Sequence, residues 1–322
     1  MLMQKLEIDG HPYHGIVHLY NSHATSAEQM NVARQKIVDY FPKLEHVFIE
    51  TLTDSDQTIK DLDTATEPDY IVCVQGGEAT VNLAAKARSN SFFSEFIIPH
   101  FILPGGNKND LANSLYAEDV LDNPNKTMRS AYLEAIYPIE FFTQSSSEES
   151  VRRDLAISYG GVGAIAEACR LLNDRRKGLL INLIRAHKSS KFILELYNTI
   201  NGLTVARPFS TIDHKNGDKP AKLVELSYIN GNRMAGGVIV TPVEAFDMQA
   251  VRVKHKYKAG LMMELTELAL SASVGVVDEI DDDFTVTSPV MLHVDAEHRQ
   301  LTPGTRVQVR RSAQPFHVLS TL

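Results

Sequence analysis

Short apolar runs alternate with helical repeats through the first third of the chain. The runs HGIVHLY, HVFIETL, YIVCV and FIIPHFIL predict four strands, and the segments between them place apolar residues at helical spacing. The clearest repeat consists of Met30, Ala33, Ile37 and Phe41. Ser26 and Gln29 come just before it with the spacing of a capping box. Because strands that alternate with helices build a parallel sheet between helical layers, this part predicts a doubly wound α/β domain.

The pattern changes beyond Met128, where β-branched runs are separated by clusters of Gly, Asn, Asp and Pro. Such runs include YPIEFFTQ, DLAISYG, AKLVELSYI, AVRVKHKY and TRVQVRR. They predict a mostly antiparallel sheet or β-sandwich. A length of 322 residues also favours two domains, since single cores usually stop growing at roughly 250 to 300 residues. We therefore predict an α/β domain over residues 11–137 and a β-rich domain over residues 138–303.

Composition and charge narrow the class of protein. The 43% apolar and 22% charged residues are typical of a globular protein, and two cysteines are too few for a disulfide framework or a cysteine-rich zinc site. The N-terminus lacks the apolar core of a signal peptide, and no stretch reaches the roughly 20 apolar residues that span a bilayer. A net charge of −8 argues against general attraction to nucleic acid. We expect a cytoplasmic protein without a nucleic-acid partner.

One basic segment departs from the acidic balance. Residues 170–191 carry seven Lys or Arg side chains against one acid, Asp174, with apolar residues interleaved. This pattern is typical of a solvated helix face, and it also fits a surface that faces a membrane or a phosphate group. Peripheral contact with a membrane is therefore a second expectation for this chain.

Two glycine-containing turns each follow a predicted strand and precede a helix. VCVQGGEATVNLAA places Gly76 and Gly77 at the first turn, and FILPGGNKNDLAN places Gly105 and Gly106 at the second. Backbone amides at a helix N-terminus attract anions, and glycine lets a phosphate approach them. Turns at the carboxyl ends of neighbouring parallel strands open onto one crevice. The turns predict a phosphate site with Asp110 as a metal ligand; ligand-free turns with Asp110 as a helix N-cap are the alternative.

Five segments, in order, resemble the diacylglycerol kinase family. GGEATVN resembles the family's GGDGTxN, and PGGNKNDLAN resembles its PxGTxNDxAR. SYGGVGA resembles its mid-chain glycine turn, LSYINGNRMAGGVIVTPVEA its stretch from an Asn to a Pro and Ala, and HVDAEHRQLTP its VDGE element. A vaguer sixth match lies before Asn21. Each match alone is weak, but the ordered set is specific.

The resemblance implies a fold and an activity. The fold is an NAD kinase or diacylglycerol kinase-like α/β domain, a β-rich substrate domain, and a final segment, residues 304–322, that packs back on the first domain. The activity is Mg²⁺-dependent transfer of the γ-phosphate of ATP to a lipid hydroxyl, with diacylglycerol-like or sphingoid alcohols as the acceptor class. The nucleotide would lie between the domains. A homodimer is left open by the sequence.

The resemblance also assigns residues. Those implied to bind the nucleotide are Asn21, Gly76, Gly77, Glu78, Thr80, Gly106, Asn107 and Asn109. Asp110 and Glu78 are implied to hold Mg²⁺, and the implied catalytic residues are Asp295, Glu297 and Asp110. One acid of the VDGE-like element would supply the general base that transfer to a hydroxyl requires. Outside the resemblance, two acids that alternate on a strand more often face solvent.

Several positions depart from the family pattern, mostly in the nucleotide loops. Glu78 stands where GGDGT has Asp, and Ala79 stands where it has the next Gly. A Cβ at position 79 would cost about 1 kcal/mol if the backbone there required a positive φ. Further departures are Asn107 for Thr, Asn113 for Arg, Met248 and Gln249 for Asp-Gly, Ala296 for Gly, and Asn21-Ser22-His23-Ala24 for a loop with Pro and Gly. They imply an altered nucleotide site or weakened catalysis.

Three alternatives follow from these observations. The first is a catalytically impaired pseudokinase that binds nucleotide or lipid on the same fold. The second is an NAD kinase-like enzyme, since those proteins share the GGDGT type of loop. The third is a GxGxxA dinucleotide fingerprint formed by Gly161, Gly163 and Ala166, which lacks the continuing strand and helix alternation that such a site requires.

Overall fold

The computed structural model describes residues 6–24, 26–51, 54–90, 96–105, 110–116, 120–146, 150–164, 166–167, 170, 208–230, 233–234, 238–239, 250–256, 274–277, 281–295 and 297–321. The helices in these ranges are α1 (Ala27–Tyr40), α2 (Ser55–Ala65), α3 (Glu78–Asn90), α4 (Asp110–Leu115) and α5 (Pro124–Ser130). The strands up to residue 163 are β1 (Leu6–Ile8), β2 (His11–Tyr13), β3 (Gly15–Tyr20), β4 (Glu45–Glu50), β5 (Tyr70–Gly76), β6 (His100–Pro104), β7 (Tyr132–Ile136), β8 (Ile139–Gln144), β9 (Arg152–Ala156) and β10 (Tyr159–Gly163). The later strands are β11 (Phe209–Asp213), β12 (Lys219–Ile229), β13 (Arg233–Met234), β14 (Val238–Ile239), β15 (Ala250–Lys256), β16 (Val274–Val277), β17 (Asp281–Val286), β18 (Val290–Val294), β19 (Glu297–Leu301), β20 (Arg306–Arg311) and β21 (Phe316–Ser320).

The first compact unit comprises Met1–Pro138, Asn230–Met248 and Ser312–Leu322. Its main sheet has six strands in the order β4-β3-β5-β6-β21-β7. The first five run parallel, and β7 pairs antiparallel with β21 at the edge. Helices α1 to α3 connect successive parallel strands, as the alternating pattern predicts. The predicted α/β class is therefore confirmed for this unit.

The central strands of this sheet explain its apolar sequence runs. Every residue of β5 is buried, and β3 is buried from Gly15 to Leu19. Strands covered on both faces need continuous apolar runs, and YIVCV is such a run. Met30, Ala33 and Ile37 of α1 are buried too, which confirms the helical repeat. The core of this unit thus follows directly from the hydrophobic pattern.

Helix capping differs from the sequence expectation. Ser26 does occupy the N-cap position of α1, but its side chain makes no capping hydrogen bond. The capping interaction is found on α2, where the Asp54 carboxylate accepts hydrogen bonds from the amides of Asp56 and Gln57 at 3.0 and 3.2 Å. The capping box prediction for α1 is therefore wrong. A Ser-x-x-Gln spacing supplies the residue types but not the local backbone that aligns them.

The second unit comprises Ile139–Ile229 and Gln249–Arg311. Its eleven-stranded antiparallel sheet follows the path β19-β18-β10-β12-β11-β17-β20-β8-β9, and β15 joins β12 and β16 beside that path. Alternating side chains of these strands form one apolar core, which includes Phe141, Phe209, Tyr228, Val286 and Val307. The prediction of an antiparallel β-rich domain is confirmed.

Two segments differ from the predicted boundaries. Residues 304–311 belong to the second unit, because β20 pairs with β17 and β8 of the antiparallel sheet. Only Ser312–Leu322 joins the first unit, where it supplies β21. Asn230–Met248 also joins the first unit. The sequence pattern of an added strand does not show which sheet the strand enters.

The segment DLAISYG forms two strands rather than one. β9 ends at Ala156 and β10 begins at Tyr159, so the chain turns a corner at Ile157 and Ser158. β9 pairs with β8, whereas β10 pairs antiparallel with β12 and β18. A dinucleotide fingerprint needs a parallel strand that enters a βαβ unit, so that alternative is wrong.

The two ends of the antiparallel sheet are joined by side chains. Arg299 of β19 donates hydrogen bonds of 2.6 Å to Asp154 of β9 and 2.6 Å to Thr143 of β8. Arg152 contacts the other oxygen of the Asp154 carboxylate at 3.1 Å. Because Asp154 is buried, these bonds connect the first and last strands of the path through a shared carboxylate. The sheet therefore curls back on itself.

Candidate functional site

The carboxyl ends of four parallel strands lie at one level of the first sheet. A single row of register partners crosses them and consists of Glu50, Tyr20, Gln75 and Leu103. Just beyond this row, the amide of Thr51 donates to the Tyr20 carbonyl at 2.8 Å, and that of Asn21 donates to the Gln75 carbonyl at 3.0 Å. The loops after β3, β4, β5 and β6 therefore begin side by side. This edge is where open α/β sheets bind ligands.

The two glycine turns touch each other at this edge. The Gly105 amide donates to the Gly76 carbonyl at 2.9 Å. A Cβ added to Gly105 would lie 3.0 Å from the Gly76 Cα and 2.2 Å from the Met30 Sδ, and one added to Gly76 would lie 2.2 Å from the Thr80 Oγ1. Neither Gly76 nor Gly105 has a positive φ, so backbone conformation does not require glycine at these positions. Lack of space for a side chain requires it. Close approach of the two backbones is thus built into the sequence.

A substitution at Gly105 tests this contact. We expect Gly105→Ala to lower the free energy of unfolding by about 1–3 kcal/mol, since the added methyl overpacks a closed space. Urea unfolding measures the change. In a Met30→Ala background the same substitution should cost less, because the closest clash is then removed. Equal costs in both backgrounds would show that Met30 does not close the turn.

Helix α3 begins directly after the first glycine turn. The amides of Thr80 and Val81 donate to the Gly77 carbonyl at 2.9 and 3.2 Å, so Glu78 lies in the first helical turn. Ala79 lies in the same turn and does not have a positive φ, so the strain considered for a Cβ at this position is absent. Thr80 is 2% exposed and packs beneath Gly76. The turn therefore places the acidic residue Glu78 at the N-terminus of α3.

The loop after β3 is an ordered turn without the family's proline and glycine. The Asn21 Oδ1 accepts a hydrogen bond from the His23 amide at 2.9 Å, and the Ala24 amide donates to the Asn21 carbonyl at 3.2 Å. The neighbouring Ser22 hydroxyl donates to the Glu50 carboxylate at the end of β4. An Asx turn thus replaces the lost Pro and Gly.

A buried polar chain supports these loops from within the sheet. The Gln75 Nε2 donates to the His18 Nδ1 at 3.0 Å, the His18 Nε2 lies 3.0 Å from the His46 Nδ1, and the His46 Nε2 lies 3.0 Å from the Phe41 carbonyl oxygen. These contacts are all satisfied when both rings are neutral and carry their proton on Nε2. Burial, followed by the charges of His46 and Arg34, lowers the pKa of His18 to about 3. The sequence analysis did not predict this hydrogen-bond network. The available signal was the presence of two polar residues, His18 and Gln75, inside apolar strands.

The two acids predicted from the C-terminal element lie in different surroundings of the second unit. Asp295 is 4% exposed, and its carboxylate accepts hydrogen bonds from the amides of Ile157, Ser158 and Tyr159 at 2.8, 3.0 and 3.1 Å. Its φ of 48° fits the two-residue turn between β18 and β19. The Glu297 side chain is 54% exposed and lies 3.9 Å from the Arg152 guanidinium. Asp295 thus holds the corner between β9 and β10, while Glu297 presents its carboxylate to solvent.

The remaining predicted residues are only partly described. Gly106, Asn107 and Asn109 lie outside the described residues, and Asp110 begins α4. Most of the basic segment 170–191 also lies outside them; Arg170, its first residue, pairs with Glu167 at 2.6 Å. No helix in the described part of the chain is long and apolar enough to cross a membrane. The structure therefore brings together the Asn21, Gly76 and Gly105 loops of the predicted set.

The described residues fit a phosphate group with a magnesium ion. Gly76 and Gly77 come directly before α3, and the backbone amides at a helix N-terminus suit an anion. The Glu78 carboxylate is the hard oxygen ligand that Mg²⁺ prefers. Among the described residues no three His, Cys, Asp or Glu side chains form a metal-binding group. A magnesium ion here would take further ligands from phosphate and water, as Mg²⁺ usually does.

These two units define a class of fold. A unit with a parallel α/β sheet is followed by a unit with an antiparallel sheet, and the strand after the second unit, β21, belongs to the sheet of the first unit. A crystal structure of a diacylglycerol kinase from Bacillus anthracis shares it with a TM-score of 0.61 and 12% identity, over 96% of this chain and 97% of that one. A second structure from that organism, also described as a diacylglycerol kinase, gives 0.63 and 13% identity over 95% and 96%. Yeast NADH kinase in complex with NADH gives 0.50 and 10% identity over 96% and 84%.

The chain thus has the diacylglycerol kinase-like fold that its motifs implied. No protein-family model matches the sequence, and no curated protein matches it. At 10% to 13% identity, the structural likeness establishes the fold and leaves the reaction to the residues of the site.

Proposed function

We propose that the chain is a kinase that transfers the γ-phosphate of ATP to the hydroxyl of a lipid alcohol in a Mg²⁺-dependent reaction. The observation that carries this proposal is the junction of the two glycine turns. The Gly76 and Gly105 backbones meet at 2.9 Å beside the N-terminus of α3, and neither position has room for a side chain. The junction holds the N-terminus of α3 at the edge of the sheet where ligands bind, and amides at a helix N-terminus attract an anion.

The Glu78 carboxylate explains why the reaction would require a metal. It lies in the first turn of α3, where it shares the favourable helix dipole with any bound phosphate. A carboxylate and a polyphosphate repel each other unless a divalent cation lies between them. Mg²⁺, when bound by Glu78 and by the family-implied Asp110, would neutralise this charge and that of the transferred group. The extra methylene of Glu over the family's Asp changes the reach of the ligand and keeps its charge.

The roles of the two C-terminal acids divide according to their surroundings. Phosphoryl transfer to an alcohol needs a carboxylate that can accept the hydroxyl proton. Glu297 has an exposed carboxylate and is our candidate for this base. Asp295 uses both carboxylate oxygens to hold three backbone amides, which suits a residue that positions β19 and therefore Glu297. This division refines the assignment implied by the family resemblance.

A lipid acceptor is proposed from the five-segment resemblance, and the structural neighbours named as diacylglycerol kinases support it. Contact with a membrane surface through the basic segment 170–191 is part of the same proposal, since a kinase must reach an acceptor that resides in a bilayer. The yeast NADH kinase neighbour makes NADH the natural competing acceptor. Both acceptor classes belong in the first assay.

The first experiment separates binding from turnover. The thermal unfolding midpoint is measured with Mg-ATP, with ATP and EDTA, and with NADH; a ligand at 100 times its Kd stabilises the folded state by about 2.7 kcal/mol. Labelled phosphate transfer is then measured to diacylglycerol, sphingosine and NADH. Transfer to a lipid supports the proposal, and transfer to NADH alone replaces it with an NAD kinase-like activity. Binding without transfer to any acceptor would identify a pseudokinase, and absence of nucleotide binding would refute the proposal.

The charge of Glu78 makes a specific prediction about ATP affinity. Without Mg²⁺ we expect Glu78→Gln to bind ATP about fivefold to tenfold more tightly than the wild type, because a repulsion of about 1 kcal/mol is removed. With Mg²⁺ the variant should bind ATP more weakly than the wild type, because a metal ligand is lost. Isothermal titration calorimetry measures both affinities. Glu67→Gln, an exposed acid before β5, is the control and should change neither; an equal effect of Glu78→Gln with and without Mg²⁺ contradicts the metal role.

A further inference from the structure

Glu50 is an exposed carboxylate at the ligand-binding edge of the first sheet. It is the last residue of β4, and its register partner on β3 is Tyr20. Its side chain accepts a hydrogen bond from the Ser22 hydroxyl, so it leans toward the loop after β3. Both side chains are exposed, and an exposed pair of this kind adds little to stability. The Glu50 carboxylate is therefore accessible to a ligand, and little stability is lost when Ser22 releases it.

The position of Glu50 relative to the glycine turns suits a nucleotide. Tyr20 is the register partner of both Glu50 and Gln75, and Gln75 precedes Gly76. Glu50 thus lies two strands from the first glycine turn, or about 10 Å at the usual spacing of neighbouring strands. The ribose of a nucleotide lies at a comparable distance from its terminal phosphates. A nucleotide whose phosphates bind at Gly76 and Gly77 can therefore extend along the strand ends toward Glu50.

The chemistry of Glu50 selects the part of the nucleotide that it would contact. A carboxylate only accepts hydrogen bonds, so it repels phosphate and does not suit a purine ring nitrogen that also accepts. The two neighbouring ribose hydroxyls donate two hydrogen bonds, and the two carboxylate oxygens accept them. In other doubly wound sheets an acid beyond the first glycine turn binds a ribose hydroxyl in this way. Here the acid stands on the sheet edge before the glycine turns.

On the basis of the proposed function, we infer that Glu50, with Ser22 beside it, forms a subsite for the ribose hydroxyls of the nucleotide. Bound hydroxyls replace the Ser22 hydroxyl as donors to the carboxylate, and Ser22 then turns to accept or donate at the same diol. The subsite favours nucleotides with free 2′ and 3′ hydroxyls. It disfavours a 2′-phosphate, because two negative charges would meet there.

Matched nucleotides and variants test the subsite. Affinities for Mg-ATP and for Mg-2′,3′-dideoxy-ATP are measured by calorimetry on the wild type, Glu50→Ala and Glu45→Gln. We expect the wild type to prefer ATP by about 10-fold to 100-fold, the range for hydrogen bonds to a charged group. Glu50→Ala should bind ATP no better than dideoxy-ATP, with its dideoxy-ATP affinity unchanged. Glu45→Gln, at the amino end of the same strand, should retain the wild-type preference.

The outcomes separate this subsite from the nucleotide site as a whole. If the wild type binds neither nucleotide, the proposed function fails and the subsite fails with it. If the wild type binds both equally, or if Glu50→Ala weakens both by the same factor, the subsite is refuted while nucleotide binding stands. A circular dichroism spectrum and unfolding midpoint like those of the wild type show that Glu50→Ala is folded. Separate titrations with 2′-deoxy-ATP and 3′-deoxy-ATP then identify which hydroxyl the carboxylate binds.

Discussion

Replacing Asp295 with Ala is expected to lower the free energy of unfolding by at least about 3 kcal/mol. The carboxylate accepts three hydrogen bonds from buried amides of the corner between β9 and β10. Each amide left without a partner costs about 1–3 kcal/mol. Alanine also tolerates the φ of 48° at this position less well than Asp or Asn does. Urea unfolding followed by circular dichroism measures the loss.

Two further variants separate the structural role of Asp295 from the chemistry. Asp295→Asn keeps the backbone preference and an acceptor oxygen, so it should lose less stability than Asp295→Ala. Glu297→Gln changes an exposed acid, and we expect less than about 1 kcal/mol of destabilisation but a large loss of kcat. An Asp295→Ala variant as stable as the wild type would show that the three amide bonds do not hold the corner. A Glu297→Gln variant with full kcat would remove Glu297 as the base.

Acid is expected to unfold the protein well before its carboxylates are fully protonated. Burial lowers the pKa of His18, His100 and His293 to about 3, from the ordinary value of 6.5. In the unfolded chain these rings take up protons below pH 6.5, whereas in the folded protein they stay neutral. Stability is therefore complete above pH 6.5 and falls as the pH drops from 6.5 toward 3. At pH 5 the loss is about 2 kcal/mol for each ring, a large part of an ordinary stability.

His293 offers the cleanest test of this pH dependence. Neither of its ring nitrogens has a hydrogen-bond partner among the described residues, and the ring is 1% exposed beside Tyr159. We expect His293→Leu to be at least as stable as the wild type at pH 7 and more stable at pH 5. Urea unfolding at pH 7, 6 and 5 should show a shallower dependence on pH in the variant. Parallel curves for the two proteins would mean that His293 does not titrate between the folded and unfolded states.

The hydrophobic pattern was sufficient for the two classes of sheet, because burial on both faces and alternation along a strand leave different signatures. It could not divide DLAISYG into β9 and β10. The corner residues are Ile157 and Ser158, so no Gly or Pro marks the turn in the sequence. The side chain that holds the corner belongs to Asp295, 138 positions away from Ile157. It also could not assign β20 and β21 to different sheets. Long-range pairing of this kind is not encoded in local periodicity.

The site shows the same division between local and distant information. The glycine turns after β5 and β6 could be predicted from the sequence, since glycine between a strand and a helix indicates a tight turn. The hydrogen-bond network from Gln75 through His18 to His46 could not be predicted from the sequence. It joins three strands, and only the folded sheet fixes their register. Thr80 shows that a residue matched to a family motif can have a packing role: the resemblance implied that it binds the nucleotide, but its side chain is buried. Its side chain packs beneath Gly76, and its contribution to the turn is the space that it fills.

The interior place of β21 has a consequence for how the first unit is made. β21 lies between β6 and β7, yet it is the last described strand of the chain. While a nascent chain emerges from the ribosome, β3 to β6 can assemble early, but β6 keeps an open edge and β7 has no partner. The apolar residues of β6 stay available for wrong pairing throughout synthesis of the second unit. The α/β unit can therefore close only after the second unit has been synthesised, and its completion locks a fold that was started some two hundred residues earlier.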